Sequence, residues 1–181
     1  MKFAKLATAL LIAGFSMQGM AADKADKADD ADKDSRVKVE FVHPEKFIDT
    51  GNRWSGVNDS DDFLKDLKHA LVQRGEAVLA DGQDMKIQVT NVDRAGDVHP
   101  VGRDMTMVRV VKPIYRPSIE FSYLVEEGGK TVREGKADIS DMNFMDRFNR
   151  YFRGDTLYYE KPMLDSWFSK EFGKDVKVAR R

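Results

Sequence analysis

Ile119, Phe121, Tyr123 and Val125 alternate with Ser118, Glu120 and Ser122, and the pattern stops at Gly128-Gly129. A period of two puts the apolar side chains on one face of an extended chain and the polar ones on the other. Paired glycines supply the positive φ values of a two-residue reversal, so the strand returns as a hairpin through Thr131 to Ser140. Met85, Ile87 and Val89 alternate in the same way with Lys86, Gln88 and Thr90. Because Asp81-Gly82 joins them to the short apolar run Ala77 to Ala80, this too reads as a hairpin. Val37, Val39 and Phe41 predict a further half-buried strand, Met105 to Val111 another, and Asp93 to Asp104 a loop.

A sheet with one apolar face needs a second layer. Phe63, Leu64, Leu67, Ala70 and Leu71 recur at helical spacing, with Asn58 to Ser60 as a cap and Gly75 as a stop. Beyond Ser140 the period changes from two to about 3.6. Phe144, Phe148, Tyr151 and Phe152 predict one helix. Met163, Leu164, Trp167, Phe168 and Phe172 predict another that starts near Pro162, since proline suits a helix's first turn. The order of elements gives an α+β class: a mainly antiparallel sheet of about five strands with helices packed on one face.

The N-terminal residues read differently. Lys2 and Lys5 precede the apolar stretch Leu6 to Phe15, and the small residues Gly19, Ala21 and Ala22 follow. This is the pattern of a cleavable secretory signal over residues 1–21. The apolar stretch is shorter than the ~20 residues of a membrane span, so no span is expected after cleavage, and the mature chain is expected in a bacterial periplasm. Residues 22–35 hold Asp, Lys, Ala and one Ser, too little apolar surface to offset ordering, and read as a disordered spacer. Residues 36–181 are left as one domain. The chain has no cysteine, so stability must come from packing, and metal sites built on thiolate are excluded. Its 30 basic residues nearly balance 31 acidic ones. No global field draws it to nucleic acid, which is not expected as a partner.

Four stretches carry a likeness: VEFVHPEKF from Val39, IEFSY from Ile119, SDMNF from Ser140 and YEKPMLDSWFSKEF from Tyr159. On these the chain resembles domain of unknown function 3016, a family of bacterial exported proteins. The resemblance implies a secreted or periplasmic protein and brings no catalytic residues with it.

Candidate binding residues fall in two places. The connection from His43 to Asn58 is far longer than the ~4–6 residues usual between elements, and long ordered loops are disproportionately functional. It carries His43, Glu45, Arg53 and Trp54, with Trp54 as an anchor or, alternatively, a cover for the sheet's open end. Arg147 and Arg150, with Arg153, recur beside Phe148, Tyr151 and Phe152. They read as an anion or lipid-headgroup patch, or else as the solvated face of an amphipathic helix. No catalytic or metal residues and no cofactor are assigned. His43, His69 and His99 lie too far apart for one ligand motif, and although Met105 with Met107 and Met142 with Met145 are thioether pairs of a kind that suits Cu(I), the plainer reading is that methionines fill gaps in the core. The reading is a monomeric, non-catalytic binding or protein-interaction module of the cell envelope, with an envelope protein or small ligand as partner. The alternatives are a hydrolase whose serines lie outside any Gly-x-Ser-x-Gly elbow, or a copper-handling protein.

Overall fold

The computed structural model describes residues 35–49 and 59–173. Along these the chain forms β1 (Val37–Phe41), a single 3-10 turn (Pro44–Lys46) and α1 (Asp59–Val78). β2 (Gln83–Asp93), β3 (Asp97–Val101), β4 (Thr106–Val110), β5 (Ser118–Glu127), β6 (Lys130–Ser140) and α2 (Glu160–Phe172) follow. The signal and most of the spacer read from the sequence, together with Arg53 and Trp54, lie outside the described residues.

The main sheet has the order β1-β2-β5-β6, and β3 and β4 form a separate two-stranded ribbon. β5 pairs antiparallel with β2 and with β6. Gly128 (φ 57°) and Gly129 (φ 76°) turn β5 into β6, the two positive φ values that a tight hairpin requires. The result is an α+β fold, its sheet largely antiparallel. β1 is the exception and runs parallel to β2, with Val37 opposite Met85 and Phe41 opposite Val89. Parallel neighbours need a crossover, and α1 provides it.

The alternating apolar residues of the main sheet meet the helices. Val37, Met85, Ile87, Val89, Ile119, Phe121 and Val125 are buried with Phe63, Leu67 and Leu71 of α1 and Leu164 and Phe168 of α2. Trp167 is half-buried, standing edge-on to Phe121 (4.7 Å) and Phe168 (4.8 Å).

Three expectations are corrected. α1 does not stop at Gly75 but continues to Val78, so Ala77 to Ala80 is no strand and β2 pairs with β1 rather than with that run. Gly75 serves close packing instead, because a Cβ there would lie 2.8 Å from a Val37 methyl and 3.3 Å from Met85 Sδ. The segment read as a loop from Asp93 to Asp104 contains β3, paired from Asp97–Val110 to Val101–Thr106. Residues 144–152 form no helix: the chain turns as far as Asp146 and then runs irregularly, with bends at Arg147 and Tyr151. There the side chains of Asp141, Asn149 and Asp155 accept the backbone N–H two residues on, at 3.0, 3.0 and 2.9 Å. Such Asx turns compete directly with helical hydrogen bonding.

Gly75→Ala tests the packing reading. Alanine gains ~1 kcal/mol of helix propensity, but forcing a methyl against Val37 costs ~1–3 kcal/mol. Urea denaturation should therefore show a lower midpoint for the variant, whereas a higher midpoint would mean that the helix and β1 separate easily.

Candidate functional site

The segment of turns between β6 and α2 is fixed from below by a polar network. Arg74 on α1 has no solvent exposure. Its Nε donates to Asp165 Oδ1 at 2.9 Å, Nη1 to Ala70 O at 2.8 Å, and Nη2 to Tyr151 Oη at 3.0 Å and Lys161 O at 3.4 Å. Tyr151 in turn donates to Asp165 Oδ2 at 2.7 Å. Burial and that carboxylate raise the Tyr151 pKa, which keeps the phenol protonated as the donor. Asn149 Nδ2 donates to Tyr158 O at 2.6 Å, closing the loop on itself.

These anchors decide which apolar side chains point inward. Phe144 is buried against Tyr159, their ring centroids 5.0 Å apart, and Leu157 enters the core. Phe148 and Phe152 are 92% and 80% exposed, and Met142 is 71% exposed. Met145 is exposed too. Phe152 also lies over Gly154, where a Cβ would come within 2.5 Å of its ring. One loop thus presents two nearly bare phenylalanines and two methionines on a braced backbone. Large apolar side chains left exposed on one short braced loop are candidates for an interaction site.

Arg147 and Arg150 sit in this loop, but their charges are engaged. Arg147 reaches Asp141 at 2.6 Å and Ser166 Oγ at 3.3 Å, and Arg150 reaches Asp165 at 2.6 Å. Both guanidinium groups therefore brace the loop against α2 and the end of β6. His43 and Glu45 lie elsewhere, paired with each other at 3.2 Å and exposed to solvent. Its own backbone N–H, then His43, hold the Glu45 carboxyl below its ordinary pKa. His43 adopts a left-handed φ of 57°, which lets the chain leave β1 and enter the 3-10 turn.

The described part of the long connection leads to a second surface that the sequence did not disclose. Asp49 N–H donates to Val92 O (3.3 Å), and the Asp49 carboxylate takes both Arg109 nitrogens, at 2.7 and 3.0 Å. A cleft of ≈ 350 Å³ opens here, lined by Asp49, Asp93, Asp97 and Arg116 between the exposed Ile48 and Ile114. Burial, then the neighbouring Asp49, raises the Asp93 pKa. Nearby, the buried Glu160 accepts the Ala95 N–H at 3.0 Å, and burial pushes its pKa up. Arg94 lies over the Phe63 ring, 4.2 Å from its centroid. These charges come from β2, β3, β4, α2 and the connecting segments, so no local spacing could have marked them as a group. Among the described residues, no group of three or more His, Asp or Glu side chains is placed to hold a metal ion. No helix of the described residues is long and apolar enough to cross a membrane.

Among the described residues, two helices on one face of a four-stranded sheet, with a two-stranded ribbon and a braced aromatic loop, define a small α+β fold. The chain belongs to the family described as protein of unknown function (DUF3016), whose model matches residues 35–170. That span runs from the first described residue nearly to the end of α2. No curated protein and no solved structure matches the chain.

The raised Asp93 pKa gives a pH-dependent prediction. An acid whose folded pKa lies above its unfolded value is protonated more readily in the folded state, so its ionised form costs stability above that pKa. The cost disappears as pH falls through the folded pKa and then below the ordinary value of 3.8. Asp93→Asn should therefore melt higher than wild type at pH 7, with the difference shrinking towards pH 3.5–4. A variant that melts lower at pH 7 would show that the Asp93 charge has a stabilising partner.

Proposed function

We propose that this chain is a non-catalytic binding module of the bacterial cell envelope that docks a protein partner through residues 141–159. The single observation that carries this is the near-complete exposure of Phe148 and Phe152 on a backbone locked by buried polar contacts. A mobile loop would lose conformational entropy on binding, whereas one already held in shape loses little, so its aromatic area converts more fully into affinity. Phenylalanine, methionine and arginine are the residue types enriched in interface cores, and all three are present here. Burying one exposed phenylalanine contributes roughly 1.5–3 kcal/mol. The loop has no net charge to attract an anionic lipid, because its three carboxylates, Asp141, Asp146 and Asp155, equal its three arginines, Arg147, Arg150 and Arg153, in number. That favours an apolar recess on a protein over a headgroup layer. The signal-like N-terminus supports export to the periplasm as the place of action.

The test uses a photo-crosslinking residue at position 148 in the full chain, produced in its native cells, with the same probe at exposed Glu120 as control. A discrete protein adduct is expected at 148, absent at 120 and abolished by Phe152→Ser. Phe148→Ala and Phe152→Ala should each change folding stability by less than ~1 kcal/mol, since neither ring is packed in the core. Equal labelling at 148 and 120, or capture by phosphatidylcholine vesicles in place of protein, would refute the reading.

A further inference from the structure

Among the described residues β6 is an edge of the main sheet, with β5 on its inner side. An edge strand presents unpaired N–H and C=O groups, and proteins leave such edges bare only when something blocks or uses them. We infer that this edge pairs antiparallel with β6 of a second copy of the chain, about a two-fold axis at Ala137. This goes beyond the loop reading, stands independently of it, and replaces the monomer read from the sequence.

The charge pattern selects both the occupant and the register. Glu134, Lys136 and Asp138 are exposed on the open face, opposite Leu124, Ser122 and Glu120 of β5. Asp138 beside Glu120 is a like-charge cross-strand pair, which is destabilising unless a cation adjoins it. A two-fold at Ala137 sets Lys136 of each copy across from Asp138 of the other and supplies that cation twice. It also sets Gly135 opposite Ile139 and Glu134 opposite Ser140, so no like charges face one another. Neighbouring registers fail. An axis at Lys136 opposes Lys136 to itself and Glu134 to Asp138, and an axis at Asp138 opposes that carboxylate to itself. An axis at Gly135 carries the ladder into the irregularity at Val132, which the β5 pairing skips between Arg133 and Thr131. Pairing of β6 with itself also closes, whereas pairing with the β1 edge of another copy would propagate into fibres.

Sedimentation equilibrium of the mature chain, at concentrations up to the order of 100 µM, tests this. Wild type should be dimeric. Lys136→Glu, or Asp138→Lys, puts like charges in contact at both ends of the ladder and should weaken the dimer at least tenfold. The double variant Lys136→Glu with Asp138→Lys restores opposite charges and should restore the dimer. Circular dichroism and a melting curve confirm that each variant is folded. A monomeric wild type would overturn the proposal. So would a dimer indifferent to either single reversal, or a folded double variant that stays monomeric.

Discussion

A guanidinium with no exposure to water sets the geometry of this molecule. Removing a charge from solvent costs several kcal/mol unless hydrogen bonds and a counter-charge replace the water. Arg74 is therefore stable only where all its partners converge, and those partners come from three places. Asp165 and the Lys161 carbonyl belong to α2, Tyr151 to the loop before it, and the Ala70 carbonyl to α1 itself. The separation of the two helices and the path of the loop follow from satisfying one side chain. Asp165 has a second oxygen to offer, and it takes both Tyr151 and Arg150.

α2 is held at a second polar point, where the buried Glu160 meets the backbone of Ala95. Its apolar face, Met163 and Leu164 between these points and Phe168 beyond them, lies in the core with the sheet residues. On the same face, α1 is drawn close to the β1 edge of the sheet, where Gly75 leaves room for Val37 and Met85. The loop that joins β6 to α2 is thus suspended between fixed elements and is pinned through Asn149, Arg150 and Tyr151. Phe148 and Phe152 flank these pinned residues, of which Asn149 and Tyr151 are half-buried, so the bracing itself leaves the two rings outside.

The strands were largely legible because a half-buried sheet writes its two faces into alternate residues, as Ile119 to Val125 do. α2 was legible for the same reason at a period of 3.6. The rest depended on tertiary context. Gly75 reads locally as a helix stop, and only the neighbouring β1 shows that it permits close approach. Phe144, Phe148, Tyr151 and Phe152 satisfy helical spacing, yet the Asx residues around them offered the backbone better local bonds. Arg147 and Arg150 stood out in the sequence, but the carboxylates that hold them are distant in the chain or unremarkable within it. Arg74 and Asp165 carry no sequence signal at all: each looks like an ordinary charged position on a helix, and burial alone distinguishes them.

Native-state hydrogen exchange on Arg74→Met, beside wild type, tests the claim that this cation fixes the loop. Methionine fills much of the same volume and removes only the charge and its donors. Breaking a buried pair from one side should cost ~3–5 kcal/mol of global stability. The Tyr151, Leu157 and Tyr158 amides, which the turns protect, should in addition exchange faster than the drop in global stability explains. If the variant keeps its stability within ~0.5 kcal/mol and those amides stay as protected as in wild type, the loop is held by other means and the account of its exposed aromatics fails.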